Sequence, residues 1–245
     1  MYNDFLWKCL FIEFGDLFGL GYKLEANKIV AVPITIICVV GVINSLNLID
    51  GIDGLCGFLT LIALFSICLI VKIKGVDASL VLILHFSAAL IAYLLVNIDL
   101  MRFLIKKVFL GDAGTTIIGI FLCWHMIKLS NSSTSVFRPI IAVYLISLPI
   151  MDTLSIMLRR IKKNESPFKA GRDHIHHLLM LAGLSQTKTL FLLVGLSFLI
   201  AGIGVIAELK NIKESYMFYS FMFIFSLYHI LALKLDKLYN QKSLI

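Results

Sequence analysis

The most informative shortage in this sequence is a shortage of charge. Only 15% of the 245 residues are Asp, Glu, Lys or Arg, whereas 60% are hydrophobic and the mean hydropathy is +0.96. Soluble domains contain about 25% charged residues and about 45–50% apolar residues. The composition therefore excludes an ordinary soluble domain and predicts a polytopic membrane protein.

Cysteine is present, but the spacing of the cysteines is not typical of disulfides or of a metal site. The five cysteines show no paired spacing, which argues against a disulfide framework and against a cysteine zinc site. The N-terminus does not have the pattern of a cleaved signal peptide, because its apolar run is short and contains Lys8 and Glu13. No internal repeat or low-complexity segment is visible, which leaves the polar stretches between apolar runs as the places to look for function.

The apolar runs predict an all-α fold with about seven transmembrane helices and catalytic loops on the cytoplasmic side. Residues 1–28 are interpreted as an interfacial segment or the stub of a further span, 29–234 as the transmembrane domain and 235–245 as a cytoplasmic tail. The predicted spans are 29–45, 56–73, 78–96, 113–129, 139–158, 189–207 and 216–234.

Positive charge favours one orientation of these spans. If the loop after the first span is cytoplasmic, cytoplasmic segments hold thirteen Lys and Arg and the opposite side holds eight. The net charge of +7 suggests anionic partners such as lipid head groups and phosphates, and the lipid bilayer itself, before nucleic acid.

Three polar stretches stand out, at 44–57, 108–119 and 152–183. Two predicted spans separate the first stretch from the second, and two more separate the second from the third. Because an even number of crossings returns the chain to the same side, all three stretches are predicted to share the cytoplasmic face. They form one candidate site.

The first stretch places Asn44, Asn47, Asp50 and Asp53 three residues apart each time. A 3₁₀ turn would align these side chains, and the glycines among them allow a ligand to approach the backbone. A plain turn is the alternative reading, because Asp-Gly is a common turn dipeptide. Four phased polar residues at a membrane edge favour a functional site.

The second stretch contains Asp112 in a glycine-rich segment that opens a helix. A carboxylate in this setting suits a hard cation such as Mg²⁺, and a helix N-terminus favours phosphate. A helix N-cap is an equally good interpretation of Asp112 alone.

The third stretch combines basic and imidazole side chains. Arginine can clamp a phosphate and histidine can donate hydrogen bonds or transfer protons, although lysines also anchor cytoplasmic loops and three histidines can form a zinc cluster. Asp152, near the end of a span, is a functional candidate or else a cap or ion-pair partner of an arginine. The basic and imidazole residues are Arg159, Arg160, Lys162, Lys163, Arg172, His174, His176 and His177.

Carboxylates, a cation and an arginine–histidine clamp beside a bilayer suit phosphoryl transfer to a lipid. The motifs NSLNLIDGIDGL (44–55), VFLGDAGTTIIG (108–119) and PFKAGRDHIHHLLMLAG (167–183) resemble those of the polyprenyl-phosphate N-acetylhexosamine-1-phosphate transferases, glycosyltransferase family 4. The His-Ile-His-His form resembles the branch that transfers N-acetylglucosamine.

The resemblance implies a multi-pass enzyme of the bacterial inner membrane with its active site on the cytoplasmic face. It implies transfer of N-acetylglucosamine-1-phosphate from UDP-N-acetylglucosamine to undecaprenyl phosphate, with release of UMP and with Mg²⁺, or Mn²⁺ in its place, as cofactor. Such a reaction starts the synthesis of lipopolysaccharide O-antigen, enterobacterial common antigen or another cell-envelope glycan.

The same resemblance assigns roles to individual residues. Asp112 and Asn47 are expected to bind the metal, and Asn44 is expected to brace its loop. The uridine is expected near Asp53, Asn97 and Phe109, and the diphosphate near Arg160, His174 and His176. The expected catalytic residues are Asp50, Asp53, Arg160 and His174. The expected substrate-binding residues are Asn44, Asp53, Asn97, Phe109, Arg160, His174, His176 and His177.

The chain also departs from the family pattern. Family members carry further spans before the first motif and an acidic Asp-Asp-x-x-Asp loop, and nothing here matches that loop. An alternative is therefore a truncated, inactive or split fragment of such an enzyme. The expected protein partners are a second copy of the chain, in a homodimer, or a partner polypeptide carrying the missing N-terminal spans. A membrane transporter is a more distant alternative, because transporters place polar groups near the midplane and often show repeats.

Overall fold

The computed structural model describes residues 10, 12–22, 24–75, 80–101, 103, 106–130, 135–169, 171 and 173–242. Of the residues named above, Lys8 and Arg172 lie outside this set. Within it, a two-stranded antiparallel hairpin, β1 (Glu13–Gly15) and β2 (Leu24–Glu25), precedes the helices. The helices are α1 (Lys28–Ile49), α2 (Leu55–Ile73), α3 (Leu80–Asn97), α4 (Gly111–Ser130), α5 (Pro139–Leu145), α6 (Ser147–Lys162), α7 (Ile175–Leu181), α8 (Gln186–Leu209) and α9 (Glu214–Lys242).

The helical bundle confirms the predicted all-α polytopic membrane fold. In the described part of the chain, six helices are long and apolar enough to cross a membrane, and the broken pair α5–α6 makes a seventh span if it is counted as one. The six are Ile29–Ile49, Leu55–Ile73, Leu80–Asn97, Gly111–Ser130, Gln186–Leu209 and Glu214–Leu238.

The predicted span 139–158 is not one continuous helix. It consists of α5 and α6, which meet at Ile146 with an angle of 83° between them. Pro149 explains the break, because a proline has no N–H to donate to the carbonyl four residues earlier and its ring clashes with that carbonyl. The carbonyl concerned belongs to Leu145, the last residue of α5.

Helix packing sets the relative positions of the polar stretches. The helix α1 packs against α4 and α6, while α2 packs against α3 and α8, and α7 is held between α8 and α9. The contact between α1 and α4 is close at Gly119, where a Cβ atom would lie 2.6 Å from the Cγ1 atom of Ile43. This contact fixes the C-terminal half of α1 beside α4.

The end of the bundle away from the three polar stretches has its own ionic cluster, here called the Glu208 cluster. The buried carboxylate of Glu208, in the last turn of α8, pairs with Lys74 after α2 and with Arg138 before α5, whose Nε lies 2.9 Å from Oε2 of Glu208. Three chain segments are thereby tied together. The hairpin lies at the same end, because the Asp16 N–H donates to Glu214 at the start of α9.

Candidate functional site

The three polar stretches lie at one end of the bundle. Gln186 at the start of α8 and Lys107 before α4 both contact the carboxylate of Asp53, with Nε2···Oδ2 and Nζ···Oδ2 distances of 3.2 and 2.5 Å. The ring of His176 lies against the backbone of Gly51. The structure therefore brings the α1–α2 loop, the segment before α4 and the loop around α7 into one candidate site.

The α1–α2 loop carries two carboxylates with different surroundings. Asp53 is partly exposed and forms an ion pair with Lys107. Asp50 caps the C-terminus of α1, and burial together with the charge of Asp53 raises the pKa of Asp50 to about 6. A carboxyl group with this pKa changes its charge near neutral pH, which suits proton transfer.

Asn97 joins this loop to the segment before α4. Its side-chain oxygen accepts a hydrogen bond from the Gly54 N–H at 2.6 Å, and its amide nitrogen donates to the Val108 carbonyl at 2.9 Å. The side chain is buried. The geometry shows Asn97 as a brace of the site wall, whereas its expected contact with uridine stays a prediction.

His176 has an unusual position for an imidazole. It is buried, and in the described part of the chain neither ring nitrogen has a hydrogen-bond partner. Burial, followed by the nearby His177, lowers the pKa of His176 to about 4, so the ring is neutral at physiological pH. A Cβ atom on Gly51 would lie 2.0 Å from Nε2 of His176, so only glycine admits this contact between the first and third stretches.

His174 is held by a buried carboxylate. Its Nδ1 atom lies 2.8 Å from Oδ2 of Asp152, while the other oxygen of Asp152 accepts hydrogen bonds from the Ile175 N–H at 3.0 Å and the Tyr228 hydroxyl at 2.9 Å. Asp152 is 1% exposed. The rings of His174 and His176 are nearly parallel, with centroids 5.8 Å apart.

Arg160 is engaged by the loop that precedes His174. It donates to both carboxylate oxygens of Asp173 and to the carbonyls of Pro167 and Lys169. Burial alone would raise the pKa of Asp173, but hydrogen bonds and charge from Arg160 outweigh it and hold this pKa below its ordinary value. The neighbouring Arg159 donates to the Asp173 carbonyl at 2.6 Å. Both arginines thus shape the loop, and an Arg160 contact with diphosphate stays a prediction.

The expected metal ligands lie where α1 and α4 meet. Asp112 is exposed in the first turn of α4, and the Thr115 hydroxyl of the next turn lies 3.4 Å from Oδ1 of Asn47. Oxygen donors of this kind fit Mg²⁺, which proteins often hold through one or two carboxylates with waters and substrate phosphates. Among the described residues no group of three or more His, Cys, Asp or Glu side chains forms a ready metal cage.

A groove of about 460 Å³ opens beside Asp53. The polar part of its lining, here called its mouth, consists of Asp53, Asp99, Lys107, Gln186 and Thr187, and most of its apolar lining comes from α2 and α8. Lys107 and Gln186 line the mouth, and sequence reasoning did not single out either for the site; the only signal was that each flanks a predicted span. Phe109, 71% exposed, lies near the same mouth, with the Lys107 ammonium 5.1 Å from its ring centroid.

The remaining expected residues lie at the edge of this site. Asn44 is exposed on α1, one turn before Asn47. His177 is partly buried, with its ring centroid 4.2 Å from that of His176. Tyr228 was not predicted, because its place beside Asp152 depends on the packing of α9 against α6.

Comparison with known proteins shows the family of the chain. Residues 5–130 match the model of a family described as glycosyl transferase family 4. The chain is 35% identical over 224 residues to the undecaprenyl-phosphate alpha-N-acetylglucosaminyl 1-phosphate transferase of Escherichia coli (strain K12), covering 88% of this chain and 60% of that protein. It is 37% identical over 144 residues to the Salmonella typhi protein of the same name, covering 58% and 38%.

The Haemophilus influenzae protein of the same name is 35% identical over 148 residues, covering 59% of this chain and 42% of that protein. The chain thus spans about 60% of the length of the Escherichia coli relatives, which it matches over 88% of its own residues. The family model covers 5–130, more than half of the chain, and includes the α1–α2 loop, Asn97 and Asp112. The chain therefore belongs to glycosyl transferase family 4.

Proposed function

We propose that this chain transfers N-acetylglucosamine-1-phosphate from UDP-N-acetylglucosamine to undecaprenyl phosphate. An oxygen of the lipid phosphate attacks the β-phosphorus of the nucleotide sugar, the bond from that phosphorus to the oxygen shared with the α-phosphate breaks, and UMP leaves. The site would face the cytoplasm from the bacterial inner membrane, and the product would start a cell-envelope glycan such as O-antigen or enterobacterial common antigen.

The meeting of the three polar stretches at one end of the bundle is the observation that carries this proposal. A phosphoryl transfer needs groups that position two anionic substrates and neutralise charge, and the stretches supply carboxylates, amides and imidazoles within one site. The family to which the chain belongs and the names of the relatives support the same reaction. A transporter would place such groups near the middle of the bundle instead.

The residues divide the work according to their surroundings. Asp50, whose pKa is raised to about 6 by burial and by Asp53, accepts the proton of the lipid phosphate near neutral pH. His174, oriented by Asp152, donates a hydrogen bond from Nε2 to the diphosphate once its ring is protonated. Asp53 and Phe109 hold the nucleotide at the mouth of the groove. Arg160 keeps the loop of His174 in place.

Asp112 and Asn47 would hold Mg²⁺, or Mn²⁺, with oxygen donors. When bound, the cation would neutralise charge on the phosphates during transfer. Asp112 also lies at the N-terminus of α4, where backbone N–H groups favour an anionic ligand. The protein donors and the helix terminus thus suit a cation bound together with a phosphate.

The test is a transfer assay on the purified 245-residue chain in detergent micelles with labelled UDP-N-acetylglucosamine, undecaprenyl phosphate and Mg²⁺. Label is expected to move to the lipid with release of UMP. Asp112→Asn is expected to lower the rate by about 100-fold or more, because a cation ligand is lost. Asp16→Asn, at the opposite end of the bundle, is the matched control and should keep the wild-type rate.

A wild-type rate in Asp112→Asn would reject the metal role. A second arm repeats the assay in the membranes in which the chain was expressed. Activity in those membranes that disappears on purification would indicate a partner polypeptide or a homodimer. No UMP release in either setting, from a chain that is folded by circular dichroism, would contradict the proposed function.

A further inference from the structure

We propose that Asp152 and Tyr228 are positioning residues that fix the tautomer of His174, an inference that rests on the proposed function for its effect on rate. Asp152 lies on α6, Tyr228 on α9 and His174 just before α7. None of the sequence motifs links these three positions. The structure joins them in one buried hydrogen-bond chain.

The two oxygens of Asp152 have separate tasks. Oδ2 faces Nδ1 of His174 at 2.8 Å, and Oδ1 accepts from the Ile175 N–H and from the Tyr228 hydroxyl. The Ile175 N–H and the Tyr228 hydroxyl both act as hydrogen-bond donors to Oδ1. The carboxylate therefore keeps its orientation, and Oδ2 presents a fixed acceptor to the imidazole.

A fixed carboxylate acceptor at Nδ1 decides where the imidazole carries its proton. Because Oδ2 of an ionised carboxylate can only accept, Nδ1 of His174 must donate, so the neutral ring carries its proton on Nδ1. Nε2 is then free to act as an acceptor, or as a donor once the ring is protonated. This arrangement matches the way carboxylates orient catalytic histidines in other enzymes.

The position of His174 is fixed by a second set of contacts from the same two helices. Arg159 of α6 donates to the carbonyl of Asp173 at 2.6 Å, and its guanidinium lies 3.5 Å from Asp236 of α9. The backbone on both sides of His174 is thus held, by Arg159 before it and by Asp152 after it. The C-terminal half of α9 buttresses this part of the site.

Asp152→Asn gives a sharp test because the two oxygens differ. An asparagine would turn its oxygen to the two donors, Ile175 N–H and Tyr228 hydroxyl, and its NH₂ group to His174. That group can only donate, so Nδ1 must accept and the proton must move to Nε2. Nitrogen-15 NMR of the histidine rings in micelles distinguishes the two tautomers, and a His174→Gln variant assigns the His174 signals.

We expect Nδ1–H in the wild type and Nε2–H in Asp152→Asn, together with a fall in kcat of about 100-fold or more and a KM for the nucleotide sugar within about twofold of wild type. Tyr228→Phe should retain the Nδ1–H tautomer, shift its proton resonance and lower kcat by about threefold to tenfold. Tyr144→Phe is the matched control, because this buried hydroxyl bonds the Met217 carbonyl and Ser220 away from the site.

An Nε2–H tautomer in the wild type, or unchanged His174 signals in Asp152→Asn, would overturn the inference. Equal effects of Tyr228→Phe and Tyr144→Phe on the His174 proton resonance would also overturn it, and this comparison remains available if Asp152→Asn does not fold. A chain with no transfer activity but with the expected tautomers would reject the proposed function and leave the assignment of Asp152 standing.

Discussion

The contact between Gly51 and His176 makes Gly51→Ala the most demanding test of the site geometry. A Cβ atom at Gly51 would lie 2.0, 2.7 and 2.9 Å from Nε2, Cε1 and Cδ2 of the imidazole. Non-bonded atoms pack best at about 3.5–4.0 Å, so the ring or the loop must move by about 1.5 Å. Because His176 is buried, the ring cannot swing into solvent without disturbing its neighbours.

The expected cost is that of overpacking, about 1–3 kcal/mol in the free energy of unfolding. The same movement separates the α1–α2 loop from the third stretch. The transfer rate per folded molecule should therefore fall as well, beyond what the loss of folded protein explains. The assay is thermal and denaturant unfolding in micelles, combined with the transfer assay. Gly41→Ala is the matched control on the same part of the chain, since a Cβ atom there meets nothing within 4 Å.

A double-mutant cycle with His176→Ala isolates the contact. In the His176→Ala background, space is available for the added methyl group, so Gly51→Ala should cost little and the two changes should show a coupling energy of about 1–3 kcal/mol. Additive effects, or a Gly51→Ala protein as stable as Gly41→Ala, would refute the placement of His176 against the loop.

Three further predictions concern other parts of the molecule. Asn97→Ala leaves the Gly54 N–H and the Val108 carbonyl unpaired and should lower the free energy of unfolding by about 1–3 kcal/mol for each group, measured by denaturant unfolding. Asn97→Asp should lower it less, because a carboxylate oxygen still accepts from the Gly54 N–H. Glu208→Gln should lower stability by about 1–3 kcal/mol without changing the KM for the nucleotide sugar, since the Glu208 cluster lies at the other end of the bundle. Because the pKa of Asp50 is raised by burial and by Asp53, its ionisation disfavours the folded state, so its own contribution to the melting temperature should fall as the pH rises from about 4 to about 6 and then level off. The lowered pKa of His176 acts in the opposite direction over the same pH range, so this contribution is measured as the difference in melting temperature between the wild type and Asp50→Asn. Asp53→Asn should reduce the fall, and a difference that rises with pH over this range would contradict the assignment.

The sequence predicts the membrane helices well because long apolar runs leave few other structures open to the chain. Six of the predicted spans, apart from residues 78 and 79, fall inside helices of the described chain. The break at Ile146 was missed, although Pro149 was a visible signal. Hydropathy is averaged over a window of residues and is not sensitive to one missing N–H. The helix itself breaks there, because it loses a backbone hydrogen bond and the proline ring clashes with the preceding turn.

For the site, counting the predicted spans grouped the right polar stretches. The side on which a stretch lies depends only on whether an even or an odd number of spans separates it from the others. It could not show which atoms meet. Asp152 and His174 are 22 residues apart, and their contact requires the turn between α6 and α7 that Arg160 organises through Asp173. Tyr228 belongs to a helix whose sequence reads only as a span, so its role depends on tertiary packing.

The 83° bend between α5 and α6 also has a consequence for the membrane around the protein. At this angle at most one of the two helices can follow the membrane normal, so the pair cannot supply a full-length crossing. The 16 residues of α6 rise about 24 Å, short of a hydrocarbon core of about 30 Å. A span this short is accommodated by local thinning of the bilayer, by flanking polar side chains that reach the head groups, or by association with other helices. Under the proposed function, thinning beside α6 would bring the lipid phosphate toward the end of the bundle that carries Arg159 and His174, with its hydrocarbon chain still in the membrane.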